Sequence, residues 1–236
     1  MTAQIGWIAQ IFLNTSIDII LLCAAILIVI ELSGPVIAER ISGGTPWHAH
    51  HIAERYSLFA LIALGEGVVG TVAGLSAAIG AHGWSLDAAL VCLAGIGLTF
   101  GMWWIYYLLP SASILHAHRD RSFVWGYGQI LIIAAIVATG AGLHVAAYAI
   151  EHESHIGTLA TVLCSAIPVG LFLVLVHGLH TYLIRRSTAF RGVLLAGNLV
   201  LVAAAVGAAA GGVGIAACLM ILMLAPAMTV VGHEMF

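Results

Sequence analysis

The segment His50–Glu66, HHIAERYSLFALIALGE, places two histidines and a Glu54-Arg55 pair at the head of an apolar run that ends in another carboxylate. Glu66 lies eleven residues beyond Arg55. On a helix that is about 16 Å further along the axis, near the middle of a hydrocarbon core about 30 Å thick. A carboxylate at that depth costs roughly 2.5–3.5 kcal/mol on insertion scales and marks an ion or proton pathway by default. Arg55, Phe59, Ile62, Glu66, Gly70 and Ala73 follow one helical stripe, so the expectation is that Glu66 faces other helices. The alternative is a neutral, hydrogen-bonded glutamate that ties two helices together.

Other polar residues fall in apolar surroundings. Glu31 lies late in the first long apolar run, where Arg40 or Arg55 could pair with it. His50, His51 and Glu54 put nitrogen and carboxylate groups within one helical turn. His177 and His180 are also a turn apart. The twelve histidines suit a pH-responsive relay, since imidazole titrates near neutrality. No HExxH occurs, and no two segments each carry histidine pairs at haem-stacking separation, so no metal site and no cofactor is expected. Gln129, His144 and Asn198 are isolated polar residues in apolar runs, the usual pattern of interhelical hydrogen bonding.

Those residues sit in a chain of 236 residues that is 62% hydrophobic and 7% charged, with a mean hydropathy of +1.13. That composition fixes the class as an all-α, polytopic transmembrane helical bundle. All seven basic residues are arginine, which excludes Schiff-base, P-loop and pyridoxal lysines. The four cysteines fall singly in separate apolar runs and read as small buried residues. No G-x-S-x-G elbow or Ser-His-Asp pattern is present, so the reading leans away from an enzyme. Seven arginines do not make a nucleic-acid surface.

Hydropathy and length give seven spans, at about 12–37, 52–79, 85–109, 122–150, 157–184, 190–209 and 213–232, in a single transmembrane domain. Pro35 is expected to bend or end the first. Every arginine falls in or beside the first, third or fifth connection. The second connection, the acidic fourth (EHESHIG, with His152 and His155) and the sixth have none. This positive-inside pattern predicts the N-terminus outside and the C-terminus inside. Gly67, Gly70 and Gly74, with Ala63, form a small-residue ridge on the second span. Gly207 and Gly211 form a further small-xxx-small pair, and such ridges allow close helix approach. Residues 1–14 lack the basic start and cleavage site of a signal peptide.

The His50–Glu66 segment resembles the signature helix of the bacterial low temperature requirement A membrane proteins, an E-R-x-x-L-F-x-x-I-x-L-G-E pattern carried here by Glu54, Arg55, Leu58, Phe59, Ile62, Leu64, Gly65 and Glu66. Trp103-Trp104-Ile105-Tyr106-Tyr107 is similar to the family's WW-x-Y-F stretch, and Phe123 to Gln129 to its WGY-x-H stretch. The motifs cover about 15–184, with the last two spans similar in hydropathy alone. The family's E-L-F-F-D-L helix is absent, and Gln129 stands where histidine is common. The resemblance implies a short family member in the bacterial cell membrane. It supplies no mechanism.

Three functional expectations follow. In the first, an ion, proton or small solute crosses through a path that includes Glu66, with Arg55 and Glu31 gating one side. The second is a structural or sensory subunit, working with a partner or further copies of the chain. The third is a membrane-embedded metal-dependent enzyme that uses histidines such as His50, His51, His177 and His180. In all three the lipid bilayer is the surrounding partner.

Overall fold

The computed structural model describes residues 2–12, 15–42, 47–150, 156–185 and 189–235. Asn14, the Gly/Pro connection at 43–46, the acidic loop at 151–155 with His152 and His155, and Arg186 lie outside them. Among the described residues every regular element is helical, and seven helices are long and apolar enough to cross a membrane. The chain falls into two compact units, Met1–His48 and Ala49–Phe236.

The N-terminal unit is an antiparallel pair, α1 (Thr2–Phe12) and α2 (Ile17–Ser42). Gln10 donates to the Ile20 carbonyl at 2.6 Å, and Gln4 donates to Glu31 Oε1 at 2.9 Å. The expected end of this span at Pro35 is not seen, because α2 carries Pro35 in its interior and runs on to Ser42. A proline removes one helical hydrogen bond and crowds the preceding turn. In a long apolar helix the remaining bonds hold the axis together.

The C-terminal unit contains α3 (Ala49–His82), α4 (Leu86–Tyr107), the short α5 (Ser111–Ala117), a 3-10 turn (Arg119–Arg121), α6 (Ser122–Ile150), α7 (Thr158–Ile184), α8 (Ala189–Ala210) and α9 (Ile215–Met235). The six long helices pack in the cyclic order α3, α6, α7, α8, α9, α4 and back to α3. The short α5 lies against α3.

Helix ends follow known chemistry. Ser85 caps α4 by accepting from the Ala88 amide, which stabilises such an end by about 1 kcal/mol. Gly212, at φ +83°, ends α8: its amide reaches the Ala209 carbonyl while that of Val213 reaches Ala208. This paired arrangement favours glycine. It also changes the reading of Gly207 and Gly211, since a Cβ at Gly207 would meet nothing within 4 Å. The local role of this stretch is to stop the helix. Among the cysteines, Cys218 is buried and Cys164 is exposed, because the outer face of α7 needs only to be apolar.

Small residues set how closely the helices approach. The packed face of α3 is Ala53, Ala60, Ala63, Gly67, Gly70, Gly74 and Ala77. A Cβ on Gly70 would lie 2.6 Å from the Gly140 carbonyl oxygen, and one on Gly74 would lie 3.1 Å from Val91. Gly101 of α4 receives the ring of Pro226 in α9, and Gly142 of α6 lies against the Cys164 carbonyl of α7. That carbonyl has no amide from residue 168, which is Pro168. Large apolar side chains such as Leu61, Ile62, Val69 and Val72 lie on the outside, as a lipid-facing surface requires.

A Cβ at Gly140 would fall 2.7 Å from the Glu66 carbonyl carbon and 2.8 Å from the Gly67 nitrogen, both backbone atoms. Gly140→Ala should therefore lower the unfolding temperature in detergent, with a loss of about 1–3 kcal/mol from overpacking. Gly178→Ala, where a Cβ meets nothing within 4 Å, should stay within about 0.5 kcal/mol of wild type.

Candidate functional site

The beginning of α3, the end of α4, α5, the beginning of α6 and the end of α7 enclose a cavity of about 360 Å³. This is the range of small-molecule sites. On α3 it is lined by His50, Ala53, Glu54 and Ser57, residues spaced to share one helical face. From α4 come Tyr106 and Tyr107, and from α6 come Trp125, Gln129 and Ile132. Val176 and Leu179 of α7 close the apolar side.

The polar groups are held by specific contacts. Tyr106 donates to Gln129 Oε1 at 2.9 Å, joining α4 to α6. Tyr107 donates to the Ser57 carbonyl at 2.8 Å, joining α4 to α3. Trp125 is 2% exposed and meets Tyr56 edge to face, with ring centres 5.0 Å apart. Its indole N–H is buried and has no partner among the described residues. Nearby, the buried guanidinium of Arg121 donates to the Leu183 carbonyl in the last turn of α7, where a cation opposes the negative end of the helix dipole.

A different site lies deeper. Glu66 sits at the midpoint of α3, and its Oε1 is 3.3 Å from Nε2 of His144 on α6. The register is fixed on both sides of the pair, by Gly140 against Glu66 and Gly70 against Gly140. A protonated imidazole would form an ion pair with the carboxylate, and a single shared proton would make a neutral hydrogen bond. The side chains remain 42% and 27% exposed, respectively, so the pair stands at the border of the packed face. Phe59 and Ile62 lie on the outer surface of this unit. The stripe they share with Glu66 is therefore not the buried one. The small-residue face beside it is.

From the cavity at Ser57 to Glu66 is nine residues of α3, about 13 Å. Ala60, Ala63 and Ile136 are buried in that interval. The cavity and the pair are thus separate in this conformation.

The family model for the bacterial low temperature requirement A protein (LtrA) matches residues 1–226. The chain belongs to that family. No curated protein and no solved structure shows a match to it. The match reaches into α9, well past the motif-bearing stretches of the LtrA resemblance. Those three stretches are distant in sequence, and each contributes residues to the one cavity: Glu54 from the first, Tyr106 and Tyr107 from the second, Trp125 and Gln129 from the third.

The other residues singled out from the sequence lie elsewhere. Arg55 donates to His51 Nε2 at 3.2 Å, one turn back on α3, and both are exposed. Glu31 is held by Gln4 within the N-terminal unit, and not by Arg40. His177 and His180 line a small cavity of about 30 Å³ with Arg191 of α8 and His233 of α9. His177 Nδ1 bonds the Leu173 carbonyl at 2.8 Å. Among the described residues, no three of His, Cys, Asp and Glu are placed to share a metal ion. Asn198 donates to Thr229 and links α8 to α9.

Ser57 carried no signal in the sequence, and Tyr106, Tyr107 and Trp125 stood out there only as parts of the motif stretches. The i, i+3, i+4, i+7 spacing of His50, Ala53, Glu54 and Ser57 is a usable signal for a shared face. The convergence of α3, α4 and α6 depends on packing and leaves no local trace. Tyr106→Phe should destabilise the protein by about 1–3 kcal/mol, because it strands the buried acceptor of Gln129. The double variant Tyr106→Phe/Gln129→Leu should lose no more than the single one. A double-mutant cycle of detergent unfolding measures the coupling.

Proposed function

We propose that this LtrA-family membrane protein is a carrier for protons or a small cation in the bacterial cell membrane, and that Glu66 and His144 form its mid-membrane site. The observation that carries this reading is the 3.3 Å carboxylate–imidazole contact at the midpoint of α3. An ionisable group at that depth is retained against a cost of roughly 2.5–3.5 kcal/mol. The histidine offsets that cost without removing the chemistry. With one proton on the pair its net charge is zero, whichever atom holds the proton. Gain or loss of one proton then changes the charge of the site. A neutral glutamine–asparagine link would tie the same helices together without this property.

Two further features support the reading. The pair is half-open, whereas the polar links at Gln129 and Asn198 are buried. The 360 Å³ cavity near the arginine-bearing end offers an entry vestibule on the same helices, α3 and α6. By the positive-inside rule that end faces the cytoplasm, with the N-terminus outside. Passage from the vestibule to Glu66 requires α3 and α6 to part at Ala60, Ala63 and Ile136. Alanine supplies the α3 side of that contact, so parting there disengages few large side chains.

The test is flux in proteoliposomes. Wild-type protein should dissipate an imposed proton or alkali-cation gradient faster than empty vesicles. Glu66→Gln and His144→Gln should each cut that flux by about tenfold or more, as expected for loss of a required intramembrane ionisable group. Glu66→Asp should retain part of it. Wild-type flux in both neutral variants, or no wild-type flux above empty vesicles for any of these ions, overturns the proposal.

A further inference from the structure

We infer that the 360 Å³ cavity is a binding site for a small organic cation that carries an acceptor oxygen, the chemistry of an amino alcohol. The inference concerns equilibrium binding at the bundle end and does not rest on the mid-membrane site. Three observations carry it.

First, the cavity holds one carboxylate, Glu54, and neither lysine nor arginine lines it. Glu54 has no hydrogen-bond or ion-pair partner among the described residues, while its neighbour Arg55 is engaged with His51. Glu54 is exposed, so solvent screens its charge in part, and an anion entering the cavity would still meet a carboxylate that no described side chain pairs. A cation would complete it.

Second, Tyr106, Tyr107 and Trp125 contribute to the wall. Aromatic groups attract cations, most strongly when both are removed from water. A bare metal ion is a poor occupant. Such ions take six or more oxygen ligands in a tight cage or keep their water, and the volume here is that of a small organic molecule.

Third, the Trp125 N–H is buried beside the cavity and has no partner among the described residues. A buried donor without an acceptor costs about 1–3 kcal/mol, and a ligand oxygen would satisfy it. Gln129 is on the same helix one turn along. Its amide oxygen is already taken by Tyr106, and its NH₂ group remains as a further donor. The cavity thus pairs a negative group on α3 with donors on α6, and a molecule with an ammonium at one end and a hydroxyl at the other matches both.

Isosteres separate these features. Choline, 3,3-dimethylbutan-1-ol and 3,3-dimethylbutanoate share a shape and differ in charge. Binding of each to the purified full chain in detergent can be measured by calorimetry. Choline should bind about tenfold or more tighter than the neutral alcohol, a difference of about 1.4 kcal/mol, and the acid should bind weakest. Glu54→Gln should bring choline and the alcohol to within about twofold of each other, while Glu54→Asp keeps part of the preference. Trp125→Phe keeps an aromatic ring and removes the donor, so it should weaken choline more than tetramethylammonium. Unfolding temperatures and elution profiles establish that each variant is folded. If Trp125→Phe is not, the isostere series on wild type and Glu54→Gln decides alone. No choline binding into the millimolar range, equal binding of the three isosteres, or an unchanged preference in Glu54→Gln overturns the inference.

Discussion

Close approach of α3 to its neighbours α4 and α6 is the constraint on which the rest of the C-terminal unit depends. Apolar helices in lipid gain no hydrophobic energy by meeting one another, so close van der Waals approach must hold them. One face of α3 makes this possible by presenting alanine and glycine at nearly every packed position. Gly70 against Gly140, and Gly140 against Glu66, fix both the spacing and the register of α3 on α6. Any larger side chain there would push the helices apart. Glu66 and His144 would then lose contact.

Onto this apolar frame the sequence adds a few polar links between helices. Tyr106 and Gln129 join α4 to α6, Asn198 and Thr229 join α8 to α9, and Glu66 and His144 join α3 to α6. Such links in membrane proteins contribute about 0.6 kcal/mol on average, too little to explain the choice of an ionisable pair. The first two are neutral, with Gln129, Asn198 and Thr229 buried, and they suit a structural role. The third alone can take up or release a proton, and it is half-open. Position and chemistry together are why we assign the proposed proton chemistry to this pair, and the cavity at the bundle end is where we place selection of a small molecule.

Much of the architecture was legible in the sequence, because span length and hydropathy are local properties. Seven apolar stretches became seven helices of membrane-crossing length, and the glycine ridge of α3 became a packed face. Pro35 was less legible. It was expected to bend or end its helix, and α2 carries it inside and runs on to Ser42. The phase of Glu66 was misleading in a specific way. Arg55, Phe59, Ile62 and Glu66 do lie on one stripe, but charge and size along that stripe do not say which way it faces. The adjacent row of small residues does. His144 stood out as a polar residue in an apolar run, whereas its partner is set by helix order, which the sequence does not encode locally. The cavity was hidden for the same reason. Its residues come from three motifs on three helices, and only the packing of those helices brings them to one place.

The central claim is that Glu66 and His144 form one protonatable unit in the middle of the membrane. Infrared difference spectroscopy of the reconstituted protein between acidic and alkaline buffer tests it most directly. The claim predicts a carboxylic C=O band that disappears in Glu66→Gln and shifts in frequency in His144→Gln, because the imidazole is the group bonded to that acid. A set of carboxylic C=O bands that is the same in Glu66→Gln as in wild type, or a Glu66 band that His144→Gln leaves unmoved, would contradict it.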